Sequence, residues 1–181
     1  GLGLEISERF DTPVLLRPTT RICHSSGLVE LGERKAVAKE RKPFARNPMK
    51  YSMIPGFAKR RHPVMEQRLK DLAEYAETFP YNKVEWGDRS LGVVANGVSY
   101  QYAREVFPEA SFLRLGMSWP LPEKLIRDFA SQVERVVVVE ELDPFLEEHL
   151  KMMGIEVAVG KDYFPILDEF NPGIVRDAAY K

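Results

Sequence analysis

The chain has 181 residues, 44% of them hydrophobic and 29% charged, enough for one domain with an appendage or for two small ones. Its 26 Lys+Arg against 27 Asp+Glu give a formal charge of −1, which argues against a general nucleic-acid binder, a class that carries a large basic excess. The single cysteine, Cys23, excludes an internal disulfide, a cysteine-rich zinc site and an iron–sulfur cluster with its roughly four thiolates; it suits a reducing, cytoplasmic setting, and no apolar run reaches the ~18–20 residues of a membrane span.

The sequence begins Gly1-Leu2-Gly3 without a methionine or a signal peptide. Residues 4–10 have a helical pattern, Asp11-Thr12-Pro13 a turn pattern, and Val14–Arg17, closed by Pro18, that of a short strand. A lone helix–strand pair cannot cover both faces of a parallel strand. The expectation is therefore a piece of a longer polypeptide, with 1–33 as a truncated α/β stub.

The next stretch is unusual in charge. Between Arg34 and Arg61 stand ten basic residues, Arg60 and Arg61 among them, and one acid, Glu40. Pro43, Pro48, Pro55 and Pro63 interrupt residues 34–63, and no helical or strand period is sustained. It reads either as a solvated connector or as a strap lying on an acidic surface of the same protein or of a partner. Sparse aromatic interleaving argues against nucleic acid. Residues 64–79 follow as an amphipathic helix, with Met65, Leu69, Leu72, Ala76 and Phe79 on one stripe, Pro63 at its start and Pro80 at its end. Together 34–85 form a basic linker plus helix.

From Trp86 the pattern becomes regular α/β. Strands are expected at Leu91–Ala95, Ala110–Leu115, Arg135–Glu140 and Glu156–Val159, and helices at Val98–Phe107, Leu121–Val133, 143 to about 153, and Gly173–Tyr180. Val136–Val139 is a continuous valine run, which implies burial on both faces. Asp143 is expected to cap its helix, and Gly154 to stop it. Such alternation predicts right-handed βαβ units: a three-layer α/β/α domain over 86–181 with a mostly parallel sheet.

The chemistry visible in the residues is thin. Asn96-Gly97 lies where an open α/β sheet hosts a ligand or an interface, but neither G-x-G-x-x-G nor G-K-[ST] is present. His24, His62 and His149 lack metal-ligand spacing, so no metal site is assigned. Glu140 and Glu141 follow a strand end and suit interface ion pairing or helix capping. Thr19–Ser25 combines the Arg21 guanidinium, the His24 imidazole and several hydroxyls, which fits a loop facing a cleft or a subunit.

Four stretches carry a family resemblance: Phe10–Ser25, Arg60-Arg61-His62-Pro63, Leu115–Ile126 (Leu-Gly-Met-Ser-Trp-Pro-Leu-Pro-Glu-Lys-Leu-Ile) and Val138–Glu147 (Val-Val-Glu-Glu-Leu-Asp-Pro-Phe-Leu-Glu). Together they resemble the thiamine-diphosphate-dependent 2-oxoacid:ferredoxin oxidoreductases, in particular the alpha (large) subunits that act on indolepyruvate. The resemblance implies that 1–33 ends a pyrimidine-binding domain and that 86–181 is a transketolase C-terminal-like domain. The family version of that domain has a five-stranded mixed sheet with one antiparallel strand, so Asn82–Trp86 or the Tyr163–Leu167 region would supply the fifth.

The family reaction is oxidative decarboxylation of an aryl pyruvate to an acyl-CoA with reduction of ferredoxin. It uses thiamine diphosphate, magnesium and 4Fe-4S clusters. The Gly-Asp-Gly diphosphate domain and the ferredoxin-like cysteine repeats have no match here, so the chain alone is expected to bind none of these groups and to be inactive, with no catalytic residue of its own. Its expected role is structural and interfacial, with the rest of the subunit, a beta subunit, ferredoxin and coenzyme A as the whole enzyme's partners, and neither nucleic acid nor membrane. By the same resemblance Arg21, His24 and Ser25 match an Arg-x-x-His-Ser element near the cleft, and Arg60, Arg61, Gly97, Glu140 and Glu141 are interface candidates. Two alternatives stay open: the same segment of an oxidoreductase for another 2-oxoacid, and a free-standing, non-enzymatic interaction module.

Overall fold

In the valine-rich half of the chain, successive side chains of each strand point to opposite faces, so every buried run must be covered twice. The computed structural model describes residues 1–34 and 43–179. They fall into two units, Gly1–Arg68 and Leu69–Lys181.

The second unit is built on a sheet of β1 (Lys83–Glu85), β2 (Asp88–Asn96), β3 (Ala110–Leu115) and β4 (Val136–Val139). Its order is β1-β3-β2-β4. β2 pairs in parallel with both β3 and β4, and β1 runs antiparallel along β3, with Val84 opposite Leu113. Val93, Ala95, Phe112, Val137 and Val139 enter one core with Tyr100 and Ala103 of α5 (Gly97–Val106) and Val175 and Ala178 of α8 (Pro172–Ala179). Val94, Leu113, Leu115, Val136 and Val138 enter the other, with Ile126 and Phe129 of α6 (Glu123–Ala130) and Leu146 and Leu150 of α7 (Phe145–Met152). The three-layer α/β/α architecture with a mostly parallel mixed sheet is present, and Lys83–Glu85 is its antiparallel strand.

The strand count differs from expectation. Glu156–Val159 is reduced to a parallel bridge between Val159 and Val137, held by Val138 N–H to Val159 O (3.0 Å) and Ala158 N–H to Val136 O (2.8 Å). Gly154 (φ +77°) and Gly160 bound the segment, and its ladder pairing with β4 is confined to this one bridge. Tyr163–Leu167 forms no strand.

The helix starts differ too. α6 and α7 follow Pro122 and Pro144, and neither helix has a capping side chain next to its start. Asp143 gives only its backbone oxygen, to Phe145 N–H at 2.8 Å. The carboxylates come from farther away. Glu140 accepts Leu146 N–H at 2.7 Å and Glu147 N–H at 3.0 Å, and Glu77 accepts Lys124 N–H at 2.9 Å and Leu125 N–H at 2.8 Å. Each satisfies two of the orphan amides of a first turn.

The first unit holds α1 (Leu2–Phe10), α2 (Thr20–Cys23), α3 (Pro48–Tyr51) and the start of α4 (Pro55–Glu77). α4 begins nine residues ahead of the expected start at 64, so Pro63 lies inside it. Proline there forfeits one i→i−4 bond, but it does not end the helix. Along the stripe, Leu72, Ala76 and Phe79 are buried, whereas Met65 is 40% exposed. Val14–Arg17 forms no strand; Leu15 and Leu16 are 85% and 88% exposed. Lys35–Lys42 of the basic stretch and Tyr180 of the last helix lie outside the described residues.

Candidate functional site

The loops that leave the C-terminal end of a parallel sheet converge, and in open α/β folds that rim is where ligands and interfaces sit. Here the rim is formed by Asn96-Gly97 after β2, 116–122 after β3, 140–144 after β4 and 160–171 after the bridged segment. Gly97 opens α5 with φ +50°, and open space lies where a side chain would be. Asn82 holds the β3 exit from below: its Oδ1 accepts Gly116 N–H (2.9 Å) and Met117 N–H (3.0 Å), while its amide donates to Ala76 O (2.8 Å). From this clamped loop Trp119 packs on Phe145 (centroids 6.2 Å) and His149 (5.7 Å).

Charge is concentrated beneath that surface. Glu140 and Glu147 are 4% and 5% exposed. Lys161 Nζ donates to Glu140 O at 2.6 Å and to Pro165 O at 3.3 Å, and its backbone N–H donates to Glu147 Oε2 at 2.6 Å. Lys151 Nζ donates to the other oxygen of Glu147 at 2.5 Å. A Cβ on Gly160 would stand 2.3 Å from Glu147 Oε2, so only glycine leaves that carboxylate its place.

Burial pushes the Glu140 carboxyl above its ordinary value, against the opposing pull of two amides and the Lys161 ammonium. Burial also raises Glu147, but Lys151 and the Lys161 N–H outweigh it and leave the group lowered. Lys161 is lowered by burial despite the surrounding carboxylates. The cluster therefore ties α7, the β4 exit and the 160–171 loop together. Glu141 joins it, accepting Phe170 N–H at 2.8 Å.

The other candidates lie in the first unit. Arg21 belongs to the single turn α2, and His24 closes that turn, its N–H donating to Thr20 O. Ser25 Oγ donates to Ile22 O at 2.8 Å. Thus Arg21, His24 and Ser25 share one exposed turn, with Cys23 exposed beside them. Arg60 and Arg61 lie on α4. Arg61 reaches Asp11 at 3.5 Å, and the same carboxylate takes Lys50 at 2.6 Å and Arg68 at 3.2 Å. These cations, led by the Lys50 hydrogen bond, hold the Asp11 carboxyl below its ordinary range.

One cysteine cannot ligate a 4Fe-4S cluster, and no group of three or more His, Cys, Asp or Glu among the described residues could hold a metal ion. Among the same residues, no helix is long and apolar enough to cross a membrane. Asn82, Glu77 and Lys161 were invisible to sequence pattern, because each acts on residues distant in the chain; the Gly160-Lys161 pair was the one local hint.

No protein-family model matches the chain. Curated relatives do. It is 36% identical to the indolepyruvate oxidoreductase subunit IorA of Archaeoglobus fulgidus, over 99% of this chain and 30% of that protein. The figures are the same for IorA of Pyrococcus horikoshii, and 34% over 97% and 30% for that of Methanothermobacter thermautotrophicus. The chain thus spans about 30% of the length of the curated relatives it matches. In fold it is similar to a 2-oxoglutarate:ferredoxin oxidoreductase from Magnetococcus marinus, solved with 2-oxoglutarate, coenzyme A and succinyl-CoA bound. There the TM-score is 0.53 and the identity 15%, over 71% of this chain and 24% of the other.

Proposed function

Because the chain is related along nearly its whole length to one segment of the IorA subunits, within the 2-oxoacid:ferredoxin oxidoreductase family, we propose that it acts as a non-catalytic scaffold and interface segment of an indolepyruvate:ferredoxin oxidoreductase. In this reading the whole enzyme decarboxylates aryl pyruvates oxidatively, passes electrons to ferredoxin and the acyl group to coenzyme A, and works in the cytoplasm. In this reading thiamine diphosphate, magnesium and 4Fe-4S clusters belong to other parts of the full-length protein, and a beta subunit is its partner.

The observation that carries the reading is the near-complete match to about a third of IorA by a chain whose own charged residues are spent on capping and packing. In the proposed division, 1–33 leaves a pyrimidine-binding domain, and Arg21, His24 and Ser25 lie beside the cleft of the assembled enzyme. The basic linker and helix lead to a transketolase C-terminal-like domain from residue 86, whose rim, with Gly97, Glu140 and Glu141, faces neighbouring domains. A sister enzyme for another 2-oxoacid is the second reading, favoured by the fold likeness to the 2-oxoglutarate enzyme.

Ferredoxin reduction by the full-length protein with its partner subunit, assayed on indolepyruvate, phenylpyruvate, pyruvate and 2-oxoglutarate, separates the two. Preference for the aryl substrates is expected. Preference for 2-oxoglutarate or pyruvate transfers the segment to the sister enzyme, and turnover by these 181 residues alone would refute both.

A further inference from the structure

The end of the sheet opposite the rim holds a cavity of about 500 Å³. One wall is the end of α6 with the turn that leads into β4, and the other is the segment after α7, from Met153 to Ala158. Small-molecule sites occupy roughly 300–1,000 Å³. Ala130, Val133, Ile155 and Ala158 give this one an apolar lining. Backbone bonds fix both walls. Arg127 Nη1 donates across from α6 to Met153 O at 2.5 Å. Glu134 N–H donates to Arg89 O, Gly92 N–H to Arg135 O and Ala158 N–H to Val136 O, each at 2.8 Å. A ligand would meet walls already in place, which lowers the cost of ordering them on binding.

Charge says what kind of ligand fits. Arg135, Glu134 and Glu156 all line the cavity and are exposed. Among the described residues their side chains make no hydrogen bond or ion pair, with one another or with any neighbour. Arg127 is already turned onto Met153 O, which leaves Arg135 as the guanidinium able to take a carboxylate. α6 and α7 both end here, at Ala130 and Met152, and the carbonyls of a last helical turn carry partial negative charge. A simple cation would be repelled by Arg135. A simple anion would meet two carboxylates and two helix ends. A small zwitterion with an apolar body satisfies both signs and the lining.

We propose that this cavity binds a free α-amino acid with an apolar side chain. Arg135 takes its carboxylate, Glu134, Glu156 and the two helix ends take its ammonium, and the wall of Ala130, Val133, Ile155 and Ala158 takes its side chain. The inference stands apart from the catalytic reading: the 2-oxoacid assay decides that one, and binding without turnover decides this one, so either can fail alone.

The test is titration calorimetry of the full-length protein with L-phenylalanine and L-leucine. Phenethylamine, which lacks the carboxylate, and 3-phenylpropionate, which lacks the ammonium, are the comparison probes. Both amino acids are expected to bind, and each single-charge probe to bind about tenfold or more weakly than phenylalanine, the loss of one charge-assisted hydrogen bond. Arg135→Ala should weaken phenylalanine by a similar factor and leave phenethylamine no weaker. Ala158→Leu fills the apolar wall without altering charge, and it should weaken both. A substrate site elsewhere in the full-length protein would be indifferent to these two positions. Circular dichroism confirms that each variant is folded, as exposed positions permit. No heat from either amino acid at millimolar concentration would overturn the proposal. So would a single-charge probe that binds as tightly as phenylalanine, or a phenylalanine affinity unmoved by Arg135→Ala or by Ala158→Leu.

Discussion

Gly1–Arg68 and Leu69–Lys181 treat the same kinds of residue in opposite ways. In the second unit, apolar side chains fill two cores on either side of the sheet, and Val93, Val94, Phe112 and Ile126 are fully inaccessible. In the first, Ile6 is the one buried hydrophobic side chain among the described residues, while Leu28, Val29 and Leu31 are 80% or more exposed. The difference teaches that hydrophobic content does not make a core. The pattern must also let each element cover a neighbour, and single-turn helices on a proline-broken basic stretch cannot. The second unit is held by burial, whereas in the first Asp11 gathers Lys50, Arg61 and Arg68 at its surface.

That contrast can be broken most forcefully at Phe112. Its ring packs edge-on against Tyr100 at 5.7 Å at the centre of one core, so Phe112→Ala should cost about 3–5 kcal/mol. In urea titration the main cooperative transition should move while protease cleavage within 13–46 stays unchanged. If both change together, the two units are one folding unit and the comparison is wrong.

A middle-sized effect is expected at Glu140. Glu140→Ala strips two amides of α7 of their acceptor inside the protein, and the loss should be about 2 kcal/mol. Glu140→Gln keeps one acceptor and removes the buried charge, so it should recover much of that stability. Its gain should be largest at neutral pH. A carboxyl raised by burial contributes its stability below the unfolded value near 4.3 and loses it as pH rises through the folded value. Denaturation midpoints from pH 4 to 8 read this directly; a Gln variant no better than Ala would make the charge itself essential.

The smallest effect concerns Asp11, which is half exposed. Its lowered carboxyl contributes order above the unfolded value near 3.9, lost as pH falls through the lower folded value. Exposed pairs are individually weak. Asp11→Asn at neutral pH should therefore quicken proteolysis of the first unit modestly and leave the urea transition of the second untouched. No change in cleavage would mean that the Lys50, Arg61 and Arg68 contacts contribute nothing.

The legible part of the fold follows the same divide. The four-valine run, the Asn96-Gly97 turn and the Gly154 stop could be read because each is a local pattern whose burial a regular sheet then satisfies. Val14–Arg17 reads as a strand by composition, yet no strand among the described residues pairs with it. Glu156–Val159 reads as a strand, yet only Val159 pairs with β4, at Val137. Pro63 reads as a helix start and sits inside α4, since tertiary cover of the following turns outweighs one missing hydrogen bond. Of the candidate site, Glu140 was visible as a strand-end carboxylate suited to capping, but the amides it caps were not. Asp143, two residues before the helix, was the better local guess. Remote caps such as Glu77, and clamps such as Asn82, depend on which loops meet, and no window of sequence contains that information.

The two glutamate caps have a consequence for synthesis. Glu77 precedes Lys124 of α6 by 47 residues and Glu140 precedes Leu146 of α7 by 6, so each leaves the ribosome before the amides it caps. Neither α6 nor α7 must wait for later translation to find its acceptor. A nascent chain released in N-to-C order meets its caps in the order in which it uses them, whereas a circularly permuted gene that placed α6 ahead of Glu77 would have to begin that helix with its amides bare.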